Sequence, residues 1–395
     1  MADRSLRDAR LIIWATGLRT FGYGLVSVEV ALYWRLHGVP ALLIGVLFTL
    51  ALLASGALSA FSGRLGASLG RRRSLMLLSL GLALGGALLA VSTALPLLLL
   101  ASLLATYSPT GKDVAAMLPM EQAALAHLGG GSRRMTFYAR YNMTSALAGA
   151  FGALAVAALP SGLQGSYVFW LYALIGLGLT YLYSGLSAAV EERAPGDGPV
   201  APGRLTQSRA VVLRLTALFG VDAMAGGLVA QGIAVLWLHD RFGTTAAAAG
   251  VLFFATNLAM AVSQLAAPAL ARRFGLLGTM VFTHLPSNIL LLLVAFAPSF
   301  PAAATLLVLR SLLSQLDVPT RQAYTMALVA PAERGAAAGV TAAVRGTASA
   351  VSPAITGLAL SLAAVGLPFV LAGTLKSLYD LTLWAMFRKV PLQGA

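Results

Sequence analysis

The sequence has no cysteine and few charged residues, and these two shortages exclude several classes of protein. Because there is no cysteine among 395 residues, disulfides, thiolate metal sites and cysteine nucleophiles are excluded. Only 10% of the residues are charged and 58% are hydrophobic, whereas a soluble domain has roughly 25% charged residues. A water-soluble fold of this size could not bury so much apolar surface. The composition therefore indicates an integral membrane protein.

Catalytic and nucleotide-binding motifs are also missing. The sequence contains no G-x-x-x-x-G-K-[ST] pattern, so ATP is not expected to drive the protein. Its four histidines are scattered and form no H-E-x-x-H pattern, so we expect no enzyme and no cofactor. The net charge of +14 does not indicate a nucleic-acid partner, because the basic residues lie in short loops between apolar runs rather than on one soluble face.

Apolar runs of about 20 residues recur along the chain, and each is long enough to cross a hydrocarbon core roughly 30 Å thick. The pattern predicts an all-α membrane protein of about twelve transmembrane helices in two pseudo-symmetric six-helix bundles. The predicted spans are 11–36, 41–62, 74–93, 96–127, 135–159, 167–190, 210–238, 245–271, 276–297, 302–329, 335–364 and 368–387. A polar, Pro- and Gly-rich stretch follows the sixth span. The predicted division is a bundle over 1–190, a linker over 191–208 and a bundle over 209–395.

The loop charges predict how the chain is oriented in the membrane. Most Lys and Arg residues fall in the two termini and in alternate loops, whereas the opposite loops carry little beyond Arg35 and Arg241. By the positive-inside rule, both termini are cytoplasmic. Arginine greatly outnumbers lysine, and Ala, Leu and Gly dominate, which is typical of a GC-rich bacterial genome. We therefore expect a location in the inner (cytoplasmic) membrane of a bacterial cell.

The two halves match each other at corresponding positions, as the halves of a duplicated six-helix unit do. The matched pairs are Gly24 with Gly227, Trp34 with Trp237, Gly70 with Gly275, Pro109 with Pro319 and Arg140 with Arg345. In the first of these registers Arg19 falls opposite Asp222. We expect the two side chains to face each other between the halves, with Asp222 as the proton-coupling carboxylate and Arg19 as its switchable partner. The alternative is a permanent structural salt bridge.

The loop after the second span resembles a motif of the major facilitator superfamily. It reads Gly63-Arg-Leu-Gly-Ala-Ser-Leu-Gly70-Arg71-Arg72-Arg73, similar to the family pattern G-x-L-A-D-R-x-G-R-R. It departs from that pattern at Ala67 and Ser68, where the family usually has Asp and Arg, so the charge relay assigned to that Asp is not expected here. The resemblance implies two halves that rock around a central site. It also implies gating roles for Gly63, Gly70, Arg71 and Arg72.

A second resemblance concerns the direction of transport. Drug/proton antiporters of the superfamily carry G-x-x-x-G-P-x-x-G-G on helix five, which is matched only in part around Gly149 and Gly152. The alternative for these small residues is close packing of membrane helices. The leading hypothesis is a proton-coupled exporter of a small solute. The alternatives are a transition-metal or metal-chelate transporter of the same fold and, less favoured, a multi-pass membrane enzyme.

Charged residues within the spans are the candidate site, because a charge in lipid costs at least about 2.5 kcal/mol and needs a partner or a wet cavity. In the family that the sequence resembles, helices one, four, seven and ten line the cavity, and these four hold most of the intramembrane charge. The candidates for substrate binding or proton coupling are Arg19, Glu29, Lys112, Asp113, Glu121, Asp222, Asp317 and Arg321, and Arg310 is also within a span. Breaks at Pro109 and Pro319 point to the same site. The alternative is that these prolines only kink their helices and that neighbouring charges neutralise one another.

Other polar residues are given structural roles. Arg140 and Arg345 are expected to bridge to carboxylates such as Glu121 and to hold the cytoplasmic side closed. His284 is spaced for a soft metal pair with Met280 on one helical face, but without cysteine or a dense Met/His cluster we expect packing and no metal site. Lys376 and Asp380 are spaced for a helical ion pair. The expected partners are a small-molecule substrate, protons and membrane lipid, and the protein is expected to be a monomer.

Overall fold

A computed structural model describes residues 2–104, 106–112, 116–129, 132–160, 163–191 and 205–390. These residues form helices joined by short connections, with no strand in the described ranges, so the all-α prediction is confirmed. The helices are α1 (Ala2–Leu36), α2 (Ala41–Leu69), α3 (Arg71–Val91), α4 (Leu95–Leu103), α5 (Met117–Leu128), α6 (Ser132–Ala158), α7 (Ser166–Ser184), α8 (Arg209–Gly227), α9 (Gln231–Phe242), α10 (Ala246–Val294), α11 (Phe300–Ser314), α12 (Asp317–Leu328), α13 (Arg334–Ser361) and α14 (Leu367–Phe387).

Each predicted span coincides with a helix, with part of a helix or with two short helices. The pairs α4/α5, α8/α9 and α11/α12 each fill one predicted span, and α10 fills two because it kinks at Gly275. Seven helices in the described ranges are individually long and apolar enough to cross a membrane: α1, α2, α3, α6, α7, α8 and α10. The remaining helices are short pieces of broken spans or carry more polar residues. Most of the predicted linker, 192–204, lies outside the described residues, so the division at 191–208 stays a prediction.

The break in the fourth span brings the two halves together through main-chain atoms. Between α4 and α5 the described stretch 106–112 is not helical, and its Pro109 carbonyl accepts a hydrogen bond from the Gly232 N–H at 2.8 Å. Gly232 lies in the first turn of α9, just after the break between α8 and α9. Irregular backbone at membrane depth is tolerated where protein satisfies its polar groups, as it does here. Pro319, by contrast, lies in the first turn of α12 rather than at a break, and the break lies at 315–316.

The halves are packed tightly at one face of the molecule. We call the face where α1 begins and α14 ends the termini face, and the opposite one the far face. Near the far face, a Cβ on Gly45 would lie 2.3 Å from a main-chain oxygen of α13, and a Cβ on Gly357 would lie 2.5 Å from one of α2. Arg35 and Asp240 form an ion pair between the halves at 3.0 Å. The far face is therefore closed.

The same two helices diverge toward the termini face. A Cβ added to Gly56 or Gly63 on α2 would meet no atom within 4 Å, and the same holds for Gly339 and Gly346 on α13. Helices that touch at one end and leave open space at the other enclose a wedge. The structure is therefore closed at the far face and open at the termini face.

The internal repeat predicted from the sequence has counterparts in backbone geometry. Gly70 joins α2 to α3 with φ +87°, and Gly275 kinks α10 with φ +73°, a left-handed conformation that favours glycine. Gly24 lets α1 approach the backbone of α6, where an added Cβ would lie 2.0 Å from the Gly149 oxygen. Gly227 does the same for α8 against α13. Each half thus repeats the same turn and the same close helix contact.

Candidate functional site

A cavity of about 520 Å³ lies between the halves, within the range of about 300–1,000 Å³ that small-molecule sites occupy. Its walls come mainly from α8, α10, α11, α12, α13 and α14, and the irregular stretch after α4 adds Thr110 and Lys112. A second cavity of about 340 Å³ adjoins it on the side of the first half. Lys112, Asn257, Met260 and Gln315 line both cavities, so the two are parts of one central space.

Asp222 on α8 is the centre of the charges on the cavity wall. Its Oδ1 lies 2.5 Å from Lys376 Nζ of α14, and its Oδ2 lies 3.0 Å from Arg321 of α12 and 3.2 Å from Arg345 of α13. Arg321 also contacts Asp317 at 3.1 Å. One buried carboxylate therefore connects cations from three helices of the second half.

His284 places a titratable ring between two carboxylates. Its Nδ1 lies 3.1 Å from both oxygens of Asp380, and its Nε2 lies 3.9 Å from Oδ1 of Asp222. Asn288 donates to Asp380 at 2.7 Å. His284 and Asp222 line the cavity, whereas Asp380 lies behind the imidazole. An imidazole carries a proton on either nitrogen, so this row can accept a proton from the cavity.

The first half contains a separate buried ion pair. Arg19 of α1 binds Glu121 of α5 through both guanidinium ends, Nη1 to Oε1 at 2.9 Å and Nη2 to Oε2 at 2.5 Å. Tyr183 and Tyr141 donate to the same carboxylate at 2.5 and 2.7 Å. The side chains of Arg19 and Glu121 are both fully buried. A bidentate pair with every carboxylate oxygen bonded twice holds α1, α5, α6 and α7 together.

The expected pairing of Arg19 with Asp222 is wrong in this structure. The two positions are equivalent in the repeat and have similar depth, but each side chain binds an opposite charge within its own half. Arg19 binds a carboxylate of α5, and Asp222 binds cations of α12, α13 and α14. The expected ion pair between Lys376 and Asp380 is also replaced. Lys376 reaches across to Asp222, and Asp380 binds His284.

Three other candidates occupy different positions. Glu29 is buried at the far end of α1, where its Oε1 accepts from the Gly165 N–H at 2.8 Å and it lines neither cavity. Lys112 lines both cavities. Asp113 lies outside the described residues. The cavity candidates that the structure brings together are therefore Lys112, Asp222, Asp317 and Arg321, together with Arg345 from the gating set.

The two arginines expected to bridge to carboxylates differ from each other. Arg345 does so, but to Asp222 rather than to Glu121. Arg140 is exposed on α6, and Glu121 is instead bound by Arg19 and two tyrosines, so the expected bridge from Arg140 to Glu121 is wrong. The cause is local: Arg19 and the two tyrosine hydroxyls already bind both oxygens of the carboxylate.

The loop motif after α2 binds a carboxylate that lies outside the motif itself. Glu191, which follows α7, accepts hydrogen bonds from the main-chain N–H groups of Arg71 at 2.6 Å and Arg72 at 2.9 Å. It therefore caps the start of α3, where free N–H groups and the helix dipole favour an anion. The carboxylate lies against Gly70, where a Cβ would be 3.0 Å from Oε1. Gly63 faces open space.

Glu333 caps a helix in the second half in the same way. Its carboxylate accepts from the hydroxyl and main-chain N–H of Thr206 and from the N–H groups of Gln207 and Ser208, all at 2.7–2.9 Å. Ser208 directly precedes α8. These bonds, the Thr206 hydroxyl first, lower the pKa of Glu333 to about 2. Both ends of the linker region are thus fixed by a glutamate at a helix start.

Several residues of the candidate site are not singled out by the sequence. Helical spacing predicts packing for His284 and an ion pair with Lys376 for Asp380, because spacing relates only residues of the same helix. Tyr141 and Tyr183 carried no signal, since tyrosines in apolar spans are common. Glu191 does carry a sequence signal, because it is a carboxylate directly after a predicted span, on the same side of the membrane as the basic loop that lacks the usual Asp.

The metal-transporter alternative depended on histidine and methionine lining the cavity beside Asp222 and Asp317. His284 and Met260 do line it, whereas Met280 is buried in a separate apolar cluster. Within the described ranges no group of three or more His, Asp or Glu residues is placed to hold a metal ion. The cations around Asp222 also disfavour a bound metal cation, because like charges repel.

Two repeated helical halves, closed at one face around a charged cavity that opens at the other, define a multi-pass membrane transporter of small solutes. The chain belongs to the Major Facilitator Superfamily, whose family model matches residues 12–227, more than half of the chain. The resemblance seen in the sequence is thereby confirmed.

Known proteins are similar to this chain in sequence or in fold. The chain is 25% identical over 421 residues to the uncharacterized membrane protein YJR124C of Saccharomyces cerevisiae, covering 96% of this chain and 94% of that protein. It matches the crystal structure of the nucleoside transporter NupG with a TM-score of 0.74 at 14% identity, covering 96% of this chain and 99% of the other. It matches that of a D-xylose–proton symporter with a TM-score of 0.72 at 14% identity, covering 98% of each chain. The two structural matches show the fold.

Proposed function

We propose that this protein is a proton-coupled secondary transporter that exports a small solute by alternating access. It acts as a monomer in the cell membrane, with both termini in the cytoplasm. The observation that carries the proposal is the row formed by Asp222, His284 and Asp380 at the wall of the central cavity. In the family, proton coupling is represented by the structurally similar D-xylose–proton symporter.

The packing of the halves supports alternating access. The far face is closed by glycine contacts between α2 and α13 and by the Gly232–Pro109 main-chain bond, while the termini face is open. If the termini are cytoplasmic, this is the inward-open state. Rocking the halves about the central site would close the termini face and open the far one. The turn at Gly70, which Glu191 caps, and the kink at Gly275 lie at the face that must close.

Proton binding has a direct mechanical consequence at this site. A proton from the cavity binds His284 or an oxygen of Asp222. Neutralising Asp222 removes the only charge within the described residues that joins Lys376, Arg321 and Arg345. The three cations then repel one another, and they lie on three different helices. The protonation state of Asp222 therefore biases how α12, α13 and α14 pack.

Export is proposed from the partial antiporter pattern on α6. Gly149 and Gly152 also have a packing role, because a Cβ on Gly152 would lie 2.0 Å from the Phe21 oxygen of α1. The direction therefore needs its own measurement. Cells that express the protein should hold less of the solute than cells without it if it is an exporter, and more if it is an importer.

The coupling proposal is tested in everted membrane vesicles with an acidified interior. A solute identified by a resistance screen in a strain lacking its own exporters should dissipate the pH gradient of wild-type vesicles when added. Asp222→Asn and His284→Asn should each abolish this response while solute exchange without a gradient continues. The matched control is His239→Asn, because His239 contacts the Thr244 carbonyl near the far face and does not line the cavity. An Asp222→Asn variant that still pumps with full proton dependence rules out the coupling role.

A further inference from the structure

We propose that the central cavity binds a small organic anion and that Arg310 is its main binding residue. The proposal rests on the proposed function in one respect, that this cavity is the transport site. The ligand chemistry is a carboxylate or a phosphate monoester on a molecule small enough for a cavity of about 520 Å³.

The charges on the cavity wall do not balance. Among the described residues, the cationic side chains on the wall are Lys112, Arg310, Arg321, Arg345 and Lys376, and the anionic ones are Asp222 and Asp317. The two aspartates already bind three of these cations, so no carboxylate in the described part of the wall remains for the others. A wall with five cations and two anions attracts an anion.

Arg310 is the cation that the protein leaves without a counter-charge. It lies in the last two turns of α11, inside a predicted span, and faces the cavity. Its Nε is buried and has no hydrogen-bond partner, and no ion pair to its guanidinium occurs in the described ranges. An isolated charge at this depth is costly unless a partner or water compensates it. A guanidinium also presents two parallel donors that suit a carboxylate or phosphate.

Lys112 approaches the same space from the other half. It lies on the irregular stretch after α4, where Gly111 has φ +66°. An anion held by Arg310 and Lys112 would connect the two halves and favour closing the cavity around it. Because Lys112 precedes Asp113, which lies outside the described residues, Arg310 is the residue to test.

The absence of cysteine makes a direct measurement possible. A single cysteine at Gln315, which lines both cavities, is allowed to react in detergent with 2-sulfonatoethyl methanethiosulfonate, a small organic anion, and with its trimethylammonium analogue, a cation. Each rate is divided by the rate with free mercaptoethanol. The control is Ala94→Cys, which is exposed in the loop before α4. We expect the anion-to-cation ratio at Gln315→Cys to be at least about tenfold higher than at the control, since charged clefts concentrate counter-ions by about 10- to 1,000-fold.

Further variants assign the effect to Arg310. In the Gln315→Cys background, Arg310→Gln should lower the ratio several-fold and Arg310→Lys should keep it. The matched control Arg241→Gln removes an exposed charge at the end of α9 and should leave the ratio unchanged. A ratio at Gln315→Cys no higher than at Ala94→Cys overturns the proposal, and so does a ratio that Arg310→Gln does not change.

Protection assays separate the two chemical sources. Succinate tests the carboxylate and glycerol 3-phosphate the phosphate, with succinamide and glycerol as uncharged controls. Slower labelling with either anion supports the proposal and names the group, whereas equal protection by its uncharged control contradicts it. Labelling requires neither protons nor transport. Charge-selective labelling in a protein without proton-dependent transport would therefore refute only the proposed coupling.

Discussion

The buried pair of Arg19 and Glu121 allows a stability effect to be worked out. Each oxygen of Glu121 accepts one bond from the guanidinium and one from a tyrosine hydroxyl. Glu121→Gln removes the charge and one acceptor oxygen, so two of these four bonds lose their acceptor and the buried guanidinium loses the negative charge of Glu121. Breaking a buried pair in this way costs about 3–5 kcal/mol. The unfolding equilibrium should therefore shift by roughly 100-fold to a few thousand-fold.

The assay is equilibrium unfolding of purified protein in mixed micelles. Tyr183→Phe removes the bond that the hydroxyl donates to Glu121 and the bond that it accepts from Arg19 at 2.9 Å, and it should cost about 1.5–3 kcal/mol. The double variant Arg19→Met, Glu121→Leu removes both charges and should be far less destabilising than Glu121→Gln, because no charge is left unpaired. If Glu121→Gln unfolds within about 1 kcal/mol of the wild type, the pair does not hold the first half together as argued.

The remaining predictions concern the two faces of the molecule. Gly70→Leu places a side chain at φ +87° and against the Glu191 carboxylate, so transport should slow at unchanged membrane insertion, and an unchanged rate in a well-expressed variant would contradict this. Gly45→Val forces α2 away from α13, so labelling of a Thr49→Cys background by an impermeant maleimide at the far face should rise, and no rise counts against the far-face seal. The lowered pKa of Glu333, about 2 against its usual 4.5, adds stability that is fully present above about pH 4.5 and is lost as the pH falls toward 2. Glu333→Gln should therefore flatten the acid side of the thermal-unfolding profile, and a profile as steep as that of the wild type would refute the cap.

The helices could be predicted because lipid imposes a simple rule on length and hydropathy. The break at Pro109 was also readable, since proline and glycine interrupt an apolar run there. The break between α8 and α9 was not, because the stretch 228–230 reads Leu-Val-Ala and continues the apolar pattern. Only the packing of α9 against the Pro109 carbonyl shows why the helix stops.

The charged site was predicted in its members but not in its pairings. The internal repeat relates Arg19 to Asp222, but this relation indicates a similar depth in the membrane and not a contact. Helical spacing relates Lys376 to Asp380, but this relation indicates a shared helix face and not a contact. Contacts in the bundle join helices that lie far apart in the chain, and the ion pair between Lys376 and Asp222 is an example. Such pairs depend on how helices pack, which one sequence does not specify.

The bond from Gly232 N–H to the Pro109 carbonyl joins the halves through main-chain atoms, and glycine suits position 232 because an added Cβ would lie 2.8 Å from the Phe48 ring and 3.1 Å from the Pro109 oxygen. Substitutions on the cavity wall can therefore accumulate without removing this bond. Wall residues can therefore change and alter which solute is bound, while the main-chain bond between the halves stays in place. Solute specificity and the seal on the far side of the cavity can then evolve separately.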